Sequence, residues 1–183
     1  LVHDPSARSM RAAESRALVE FVDVMPTIID LAPGTNAVPP LCPAEDSAGP
    51  TECTEGVSLR GALENPGLNF DAARPAVFMQ YAACMHDEKV WHDACADPAE
   101  PRVMGYGVRT RRWRYIEWVR FDRWKAQPLW NETVLGTELY DHGLGDTVTD
   151  AAEAVNVVAR SEYKADVLRL SAILRRGWRH RGK

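Results

Sequence analysis

The stretch MGYGVRTRRWRYIEWVRF, residues 104–121, decides the fold of this chain. In its first half, apolar and β-branched residues alternate with Gly105, Gly107 and Arg109. In its second half, one set of alternate positions holds Trp113, Tyr115, Val119 and Phe121, and the other holds Arg114, Ile116, Trp118 and Arg120. Alternation with a period of two is typical of strands that place one face on a core. The connection at residues 111–112 is short, so the two strands are predicted to form an antiparallel hairpin.

Further elements are predicted on both sides of this hairpin. Residues 19–22 could extend the strand system, and Asp23 is expected to cap a helix that ends at Pro33-Gly34, with a buried stripe of Ile28, Ile29 and Ala32. The other predicted elements are strands at 76–81 and 138–141, loops at 84–102 and 123–134, a short helix at 151–159 and a longer helix at 162–178. Four residues, Tyr163, Val167, Leu170 and Leu174, give the longer helix an apolar stripe. The pattern predicts an α+β fold, a small antiparallel sheet of about four strands covered by a C-terminal helix.

Composition narrows the class of protein. Hydrophobic residues make up 45% of the 183 residues and charged residues 26%, which is ordinary for a globular protein. The formal net charge of −4 argues against a general nucleic-acid binder. No apolar run approaches the roughly 20 residues that a membrane-spanning helix needs. We therefore expect neither a nucleic-acid partner nor a membrane span.

The four cysteines fall into two pairs, Cys42 with Cys53 and Cys84 with Cys95, each eleven positions apart. A zinc site usually places cysteines two to four positions apart, and that spacing is absent here. Four reduced thiols in a cytosolic protein, or two disulfides in an oxidising compartment, both fit the residues. The spacing alone does not choose between these two states.

Four segments together resemble the sulfatase family, and most closely its iduronate-2-sulfatase group. They are VEFVDVMPTIIDLA at 19–32, VPPLCPAEDSAGPTECTEGVSL at 38–59, FMQYA at 78–82 followed by the hairpin, and ELYDH at 138–142 with Glu153 and Asn156 downstream. The order and spacing of the segments resemble the C-terminal part of such enzymes. The resemblance implies that residues 1–37 are the tail end of the α/β core, 38–74 a disulfide-stapled connection and 75–183 a C-terminal subdomain.

The resemblance also implies that the chemistry lies outside this chain. Sulfatases carry a Cys/Ser-x-Pro-x-Arg motif whose first residue becomes formylglycine, and a divalent cation, expected to be calcium, offsets the sulfate charge. No such motif occurs here, so we expect no catalytic residue, metal ligand or cofactor in this chain. The chain, which begins at Leu1, is expected to be a fragment or processed product, inactive alone. Its expected partners are the N-terminal catalytic portion of the same enzyme and a sulfated glycan.

The first cysteine pair matches a disulfide of the resembled family, so we expect a Cys42–Cys53 bridge. We also expect a second bridge, Cys84–Cys95. Asn131-Glu132-Thr133 is an N-glycosylation sequon. Together these features indicate a secreted or lysosomal glycoprotein.

Residues 84–102 hold the best candidates for substrate binding. His86, Lys89, Trp91 and His92 offer cations and a flat ring suited to a sulfated sugar, although a solvated surface loop is the simpler interpretation. Arg109 is expected to form a structural ion pair with a carboxylate such as Glu117 or Asp141.

Two further groups of residues invite a functional interpretation. Asp141 and His142 are adjacent on a strand and would point to opposite faces, so a capping or turn role is expected there rather than a metal site. The basic residues at 175–183 could bind an anionic polysaccharide or form a frayed helix end.

Two alternatives to a sulfatase part stay open. The chain could be a non-catalytic, disulfide-stapled module that binds acidic glycans. It could also be the C-terminal part of a related phosphodiesterase or phosphonate hydrolase, because such relatives share the terminal architecture.

Overall fold

The protein is described by a computed structural model that covers residues 14–34, 37–43, 52–67, 74–86, 90–92, 102–143 and 150–177, with the backbone alone at 84–86 and 90–92. The chain forms two compact units that divide between Val77 and Phe78. The predicted division at residues 37 and 74 stays a prediction. No helix in the described part of the chain is long and apolar enough to cross a bilayer.

The first unit contains two short helices around a buried carboxylate. A 3₁₀ turn (Phe21–Asp23) leads into α1 (Val24–Leu31), and α2 (Arg60–Glu64) follows later in the chain. The Asp23 carboxylate is fully buried and accepts hydrogen bonds from the backbone N–H groups of Glu20 and Val57, each at 2.8 Å. The buried Arg74 guanidinium pairs with the carboxylates of Asp23 and Glu20. These bonds satisfy a charge that would otherwise be very costly to bury.

Several predictions for this region are wrong. Residues 21–22 lie in the 3₁₀ turn rather than in a strand. The Asp23 side chain bonds to the residues described above and makes no capping bond to α1. Ile28 is 62% exposed, whereas Pro26 and Thr27 are the buried residues of α1. The Thr27 hydroxyl is satisfied although it is buried, because it donates to the Asp23 carbonyl at 2.6 Å and accepts from the Leu59 N–H at 2.9 Å.

The Cys42–Cys53 disulfide is present, with the two Cα atoms 4.9 Å apart, which confirms the expected first bridge. Backbone hydrogen bonds flank it, from Cys42 N–H to the Thr54 carbonyl and from Thr54 N–H to the Pro40 carbonyl, both at 2.9 Å. A Cβ at Gly56 would lie 1.9 Å from the Val22 carbonyl oxygen, so only glycine permits this approach to the helix. The disulfide, the flanking backbone bonds and the close contact at Gly56 therefore hold the described parts of this connection in place. Cys95 lies outside the described residues, and the second bridge stays a prediction.

The second unit is a curled antiparallel sheet with one long helix, α3 (Lys164–Arg176), which confirms the predicted fold class. The strands are β1 (Val77–His86), β2 (Val90–His92), β3 (Val103–Arg109), β4 (Trp113–Asp122), β5 (Gln127–Pro128) and β6 (Gly136–Asp141). Their order is β2-β1-β3-β4-β5, and β6 also pairs with β4. The hairpin of β3 and β4 has the predicted antiparallel pairing, with Gly107 opposite Ile116.

Two element predictions in this unit are wrong. Residues 84–86 continue β1 and pair with β2, so the described part of the expected 84–102 loop is a second hairpin. Residues 151–159 form no helix. Glu153 has a left-handed backbone with φ of 52°, and the N–H groups of Ala154 and Val155 are bonded to the Asp150 carboxylate. The Val157 N–H then bonds to the Leu139 carbonyl of β6 at 2.9 Å, so this segment lines the sheet edge instead.

The core lies between α3 and one face of the sheet. Leu170 and Leu174 of the predicted stripe are buried in it, as are Val108, Val119 and Leu139 of the strands. Burying each such side chain contributes about 1.5–3 kcal/mol. The same face also carries Tyr115 and Glu117, and Glu117 is only 2% exposed.

The buried Glu117 carboxylate is fully hydrogen-bonded. It accepts from the Tyr115 hydroxyl at 2.9 Å and from the Ser171 hydroxyl at 2.6 Å. The Arg175 guanidinium donates two further bonds to it, at 3.0 and 2.7 Å. Burial and the adjacent carboxylate raise the pKa of Tyr115. Glu117 therefore ties β4 to the last turn of α3.

We predict that Arg175→Met loosens α3, because Glu117 would keep its buried charge and lose its cation. Since Arg175 is 38% exposed, water would replace part of the interaction, so the expected cost is about 2–3 kcal/mol rather than the full cost of breaking a buried pair. The measurement is amide hydrogen exchange across Lys164–Arg176 together with thermal unfolding. Arg169→Met is the matched control, because the described partner of Arg169 is Asp166, on the exposed side of α3. Equal effects of the two substitutions would contradict this role.

Candidate functional site

The sheet face opposite α3 is shaped by two glycines of β3, and we call it the glycine face. A Cβ at Gly105 would lie 2.8 Å from the Trp118 ring, and one at Gly107 would lie 2.7 Å from Cγ of Met79. Both distances are shorter than side chains tolerate, so the glycines let the Trp118 ring and Met79 lie directly against the backbone of β3. The register of the hairpin produces this arrangement, because Gly105 pairs with Trp118 and Gly107 with Ile116.

A cleft of about 550 Å³ opens on the glycine face. This volume lies within the range of small-molecule sites. Its walls come from four strands and from the segment after β6: Met79, Gln80, Tyr81, Gly105, Gly107, Arg114, Ile116, Trp118, Glu138, Tyr140, Ala152 and Glu153. Aromatic rings and charged groups thus meet in one concave surface.

The centre of the cleft is a carboxylate held by two aromatic side chains. The indole Nε1–H of Trp118 and the hydroxyl of Tyr140 each donate a hydrogen bond of 2.6 Å to Glu138. The Tyr81 ring stands edge-on to the Trp118 ring, with the ring centres 6.4 Å apart. Burial and the Glu138 carboxylate raise the pKa of Tyr140 to about 12. Tyr140 therefore stays a neutral donor over the physiological range.

A second charged group closes one end of the cleft. The Arg114 guanidinium pairs with the Glu153 carboxylate, whose other oxygen lies 2.8 Å from Nε2 of His142. Nearby, the Asn156 side chain accepts from the Leu139 N–H at 3.0 Å and donates to the Thr137 carbonyl at 3.2 Å. The downstream Glu153 and Asn156 of the sulfatase-like pattern thus fix the sheet edge and the cleft wall.

Three of the four predicted substrate-binding residues fall on the β1–β2 hairpin, at the opposite edge of the sheet from β5. His86 is paired with Val90, while Trp91 and His92 pair with Met85 and Cys84. The backbone therefore brings His86, Trp91 and His92 into one short hairpin. Lys89 lies outside the described residues. Their role as a substrate-binding group stays a prediction.

The other predicted groups take mostly structural roles. Among the described residues, Arg109 does not form the expected ion pair with Glu117 or Asp141, which are bonded to Arg175 and Arg112. Its guanidinium donates to the carbonyls of Thr110 and Arg111, at 2.7 and 3.3 Å. Burial lowers the pKa of Arg109.

Asp141 accepts two bonds from Arg112, at 2.9 and 2.7 Å, and one from the Gly143 N–H at 2.9 Å, which confirms its turn role. The paired guanidinium lowers the pKa of Asp141. Within the described part of the chain, no three His, Cys, Asp or Glu side chains group as metal ligands would.

The basic C-terminal residues and the sequon have separate outcomes. Arg175 belongs to the buried Glu117 cluster, and residues 178–183 lie outside the described ones. Asn131 is exposed in the turn after β5, a position that a glycan could reach; glycosylation itself stays a prediction.

Sequence reasoning missed the cleft residues Trp118, Glu138, Tyr140 and Glu153 as a group. Alternation showed only that Trp118 lies opposite the core, and nothing in the sequence pairs it with Glu138, twenty positions later. The sheet register supplies that link, because Trp118 pairs with Gly136 and so brings Glu138 within reach of the indole.

We predict that Gly105→Ala displaces the Trp118 ring and lowers stability by about 1–3 kcal/mol, the usual cost of overpacking. The readout is the NMR shift of the Trp118 indole N–H, which reports its bond to Glu138, together with the midpoint of thermal unfolding. Gly136→Ala is the control on the same ring, since its Cβ would meet Trp118 at an ordinary 3.6 Å. An unchanged indole resonance in Gly105→Ala would show that this packing is wrong.

Comparison with known proteins gives the chain a relationship. It is 33% identical to mouse (Mus musculus) iduronate 2-sulfatase over 126 residues, which is 65% of this chain and 22% of that protein. It is also 33% identical to the human (Homo sapiens) iduronate 2-sulfatase over 115 residues, 60% of this chain and 20% of that protein. No family model matches the chain. The chain spans about a fifth of the length of the curated relatives it matches. These similarities confirm the resemblance to sulfatases and support an interpretation of this chain as sulfatase-like, corresponding to the C-terminal part of such an enzyme.

Proposed function

We propose that this chain is the C-terminal portion of a sulfatase that hydrolyses sulfate esters of sulfated sugars or glycosaminoglycans. The observation that carries the proposal is the 33% identity to iduronate 2-sulfatase over about two thirds of the chain. The Cys42–Cys53 disulfide and the exposed sequon asparagine support a secreted or lysosomal route for the protein.

In this proposal the chain completes the fold of the full enzyme and supplies part of the wall of its substrate-binding cleft. The described surface of the first unit supports such packing, because Phe21 is 95% exposed and Val24, Met25 and Ile28 of α1 are exposed beside it. Apolar side chains grouped in this way mark surfaces that another part of a protein covers. The N-terminal catalytic portion of the same enzyme is the partner that the proposal assigns to them.

The chemical step belongs to residues outside this chain. A formylglycine would supply the nucleophile that attacks the sulfur atom, and a divalent cation, calcium in the proposal, would neutralise the sulfate charge. The described residues here contain no cluster fitted to that cation. No step of the hydrolysis is therefore assigned to a side chain of this chain.

The β1–β2 hairpin and the residues after it are the proposed contact with the sugar. The hairpin gathers His86, Trp91 and His92, and Lys89 directly precedes β2 in the sequence. Cations there would attract an anionic glycan, and a tryptophan ring offers a flat apolar face to a sugar. These contacts bind substrate remote from the reacting sulfate.

The proposal predicts turnover of an aryl sulfate and of a sulfated disaccharide by the full-length protein and none by the 183-residue chain alone. The reason is that the nucleophile and the cation ligands lie outside this chain. Enzymatic assay of both proteins, with and without added calcium, tests it. A full-length protein that cleaves phosphate diesters or phosphonates but no sulfate ester would favour the related hydrolases. Glycan binding without any hydrolysis would favour the binding module.

We predict that Lys89→Ala, Trp91→Ala and His92→Ala in the full-length enzyme raise KM for the glycan and leave kcat nearly unchanged. A contact made equally in the ground state and the transition state affects binding only. Steady-state kinetics on the glycan and on a small aryl sulfate give the comparison, with Lys125→Ala as a control at the exposed turn between β4 and β5. Unchanged kinetics on both substrates would assign these residues to the solvated surface. An equal fall of kcat on both would place them at the reacting centre.

A further inference from the structure

The cleft on the glycine face holds a carboxylate, that of Glu138, with no cationic partner in the part of the chain that the structure describes. Glu138 accepts hydrogen bonds from the Trp118 indole and the Tyr140 hydroxyl, both of them neutral donors. No lysine, arginine or histidine of the described residues forms an ion pair with it. A carboxylate has about four acceptor positions, so two donors leave room for another partner. Glu138 is therefore prepared to accept a donor from a ligand.

The remaining charges of the cleft do not compensate for Glu138. Arg114 is the cation of the lining, and its guanidinium is paired with Glu153. Among the described lining residues, one arginine and two glutamates leave one negative charge unbalanced. The raised pKa of Tyr140 has the same origin, since the adjacent carboxylate opposes formation of a phenolate.

The aromatic groups favour the same kind of ligand. The indole N–H of Trp118 and the O–H of Tyr140 are both donated to Glu138, and both side chains line the cavity. The negative face of an aromatic ring attracts a cation within about 6 Å of its centre. Rings beside a carboxylate thus form a site for a positive group attached to an apolar body.

We infer that this cleft binds a ring-sized organic cation, with its ammonium or amidinium group on Glu138 and its apolar body against Trp118. A volume of about 550 Å³ accommodates such a molecule. The inference goes beyond the proposed function, and it holds whether or not the protein hydrolyses sulfate esters.

Three small molecules of similar shape and different charge test the inference: benzylammonium, benzyl alcohol and benzoate. Isothermal titration calorimetry or ligand-observed NMR with the full-length protein measures their binding. We expect benzylammonium to bind most tightly and benzoate least. Added salt should weaken benzylammonium, because a partly exposed ion pair is screened.

Glu138→Gln is the decisive variant, because its amide can still accept the indole N–H and donate to the Tyr140 hydroxyl while the charge is lost. Loss of a charge-assisted hydrogen bond should weaken benzylammonium about tenfold or more and leave benzyl alcohol unchanged. Glu132→Gln is the control, since Glu132 is an exposed residue outside the cleft lining. Glu138→Asp keeps the charge, retracts it by one methylene and should bind with intermediate affinity, which guards against an effect of misfolding. Equal affinity for the three molecules, preference for benzoate, absence of benzylammonium binding or indifference to Glu138→Gln would each overturn the inference.

Discussion

The C-terminal unit depends on one buried carboxylate, that of Glu117. It lies on the core face of β4, where alternation would otherwise place an apolar residue, and it accepts bonds from Tyr115, Ser171 and Arg175. A buried charge is tolerated only when its partners are held in place, so this cluster fixes both the rotation and the position of α3 along the sheet. The apolar contacts of Leu170 and Leu174 contribute burial, but burial is not directional. The carboxylate therefore defines where the helix lies, which is the specificity role that buried ionic groups can take.

Fixing α3 on one face leaves the other face of the same strands to form the cleft. The period of two in the hairpin separates Tyr115, Glu117 and Val119 from Arg114, Ile116 and Trp118. The first set packs under the helix, and the second lines the cavity. Gly105 of β3 lets the Trp118 ring lie against the backbone on that face. The segment after β6 supplies Glu153 to the wall of the cavity. The same alternation therefore produces both the core and the candidate site, because α3 covers one face of the strands and leaves the other face to form the cavity.

A buried carboxylate paired with an arginine also organises the first unit. Asp23 is fully buried and joins the N-terminal turn, the segment at Val57 and the buried Arg74. Together with the Cys42–Cys53 bridge, these bonds hold the described parts of a connection that is rich in proline and glycine. The apolar residues left exposed on α1 agree with the proposed place of this chain beside a larger catalytic portion.

The sequence by itself determined the hairpin, the apolar stripe of α3 and the likeness to sulfatases, because each rests on local periodicity or on residues in a recognisable order. The first disulfide was expected only because the resemblance implied it. The short helix predicted at 151–159 is wrong, because the backbone N–H groups of this segment are bonded to Asp150, Asn156 and the Leu139 carbonyl instead. The sequence also failed to give the partner of Arg109, or the meeting of Trp118 with Glu138 and Tyr140. Those contacts depend on which residues face one another across strands and on what covers each face. Only the tertiary structure decides them, since a carboxylate near several arginines pairs with the one that the fold brings within hydrogen-bonding distance.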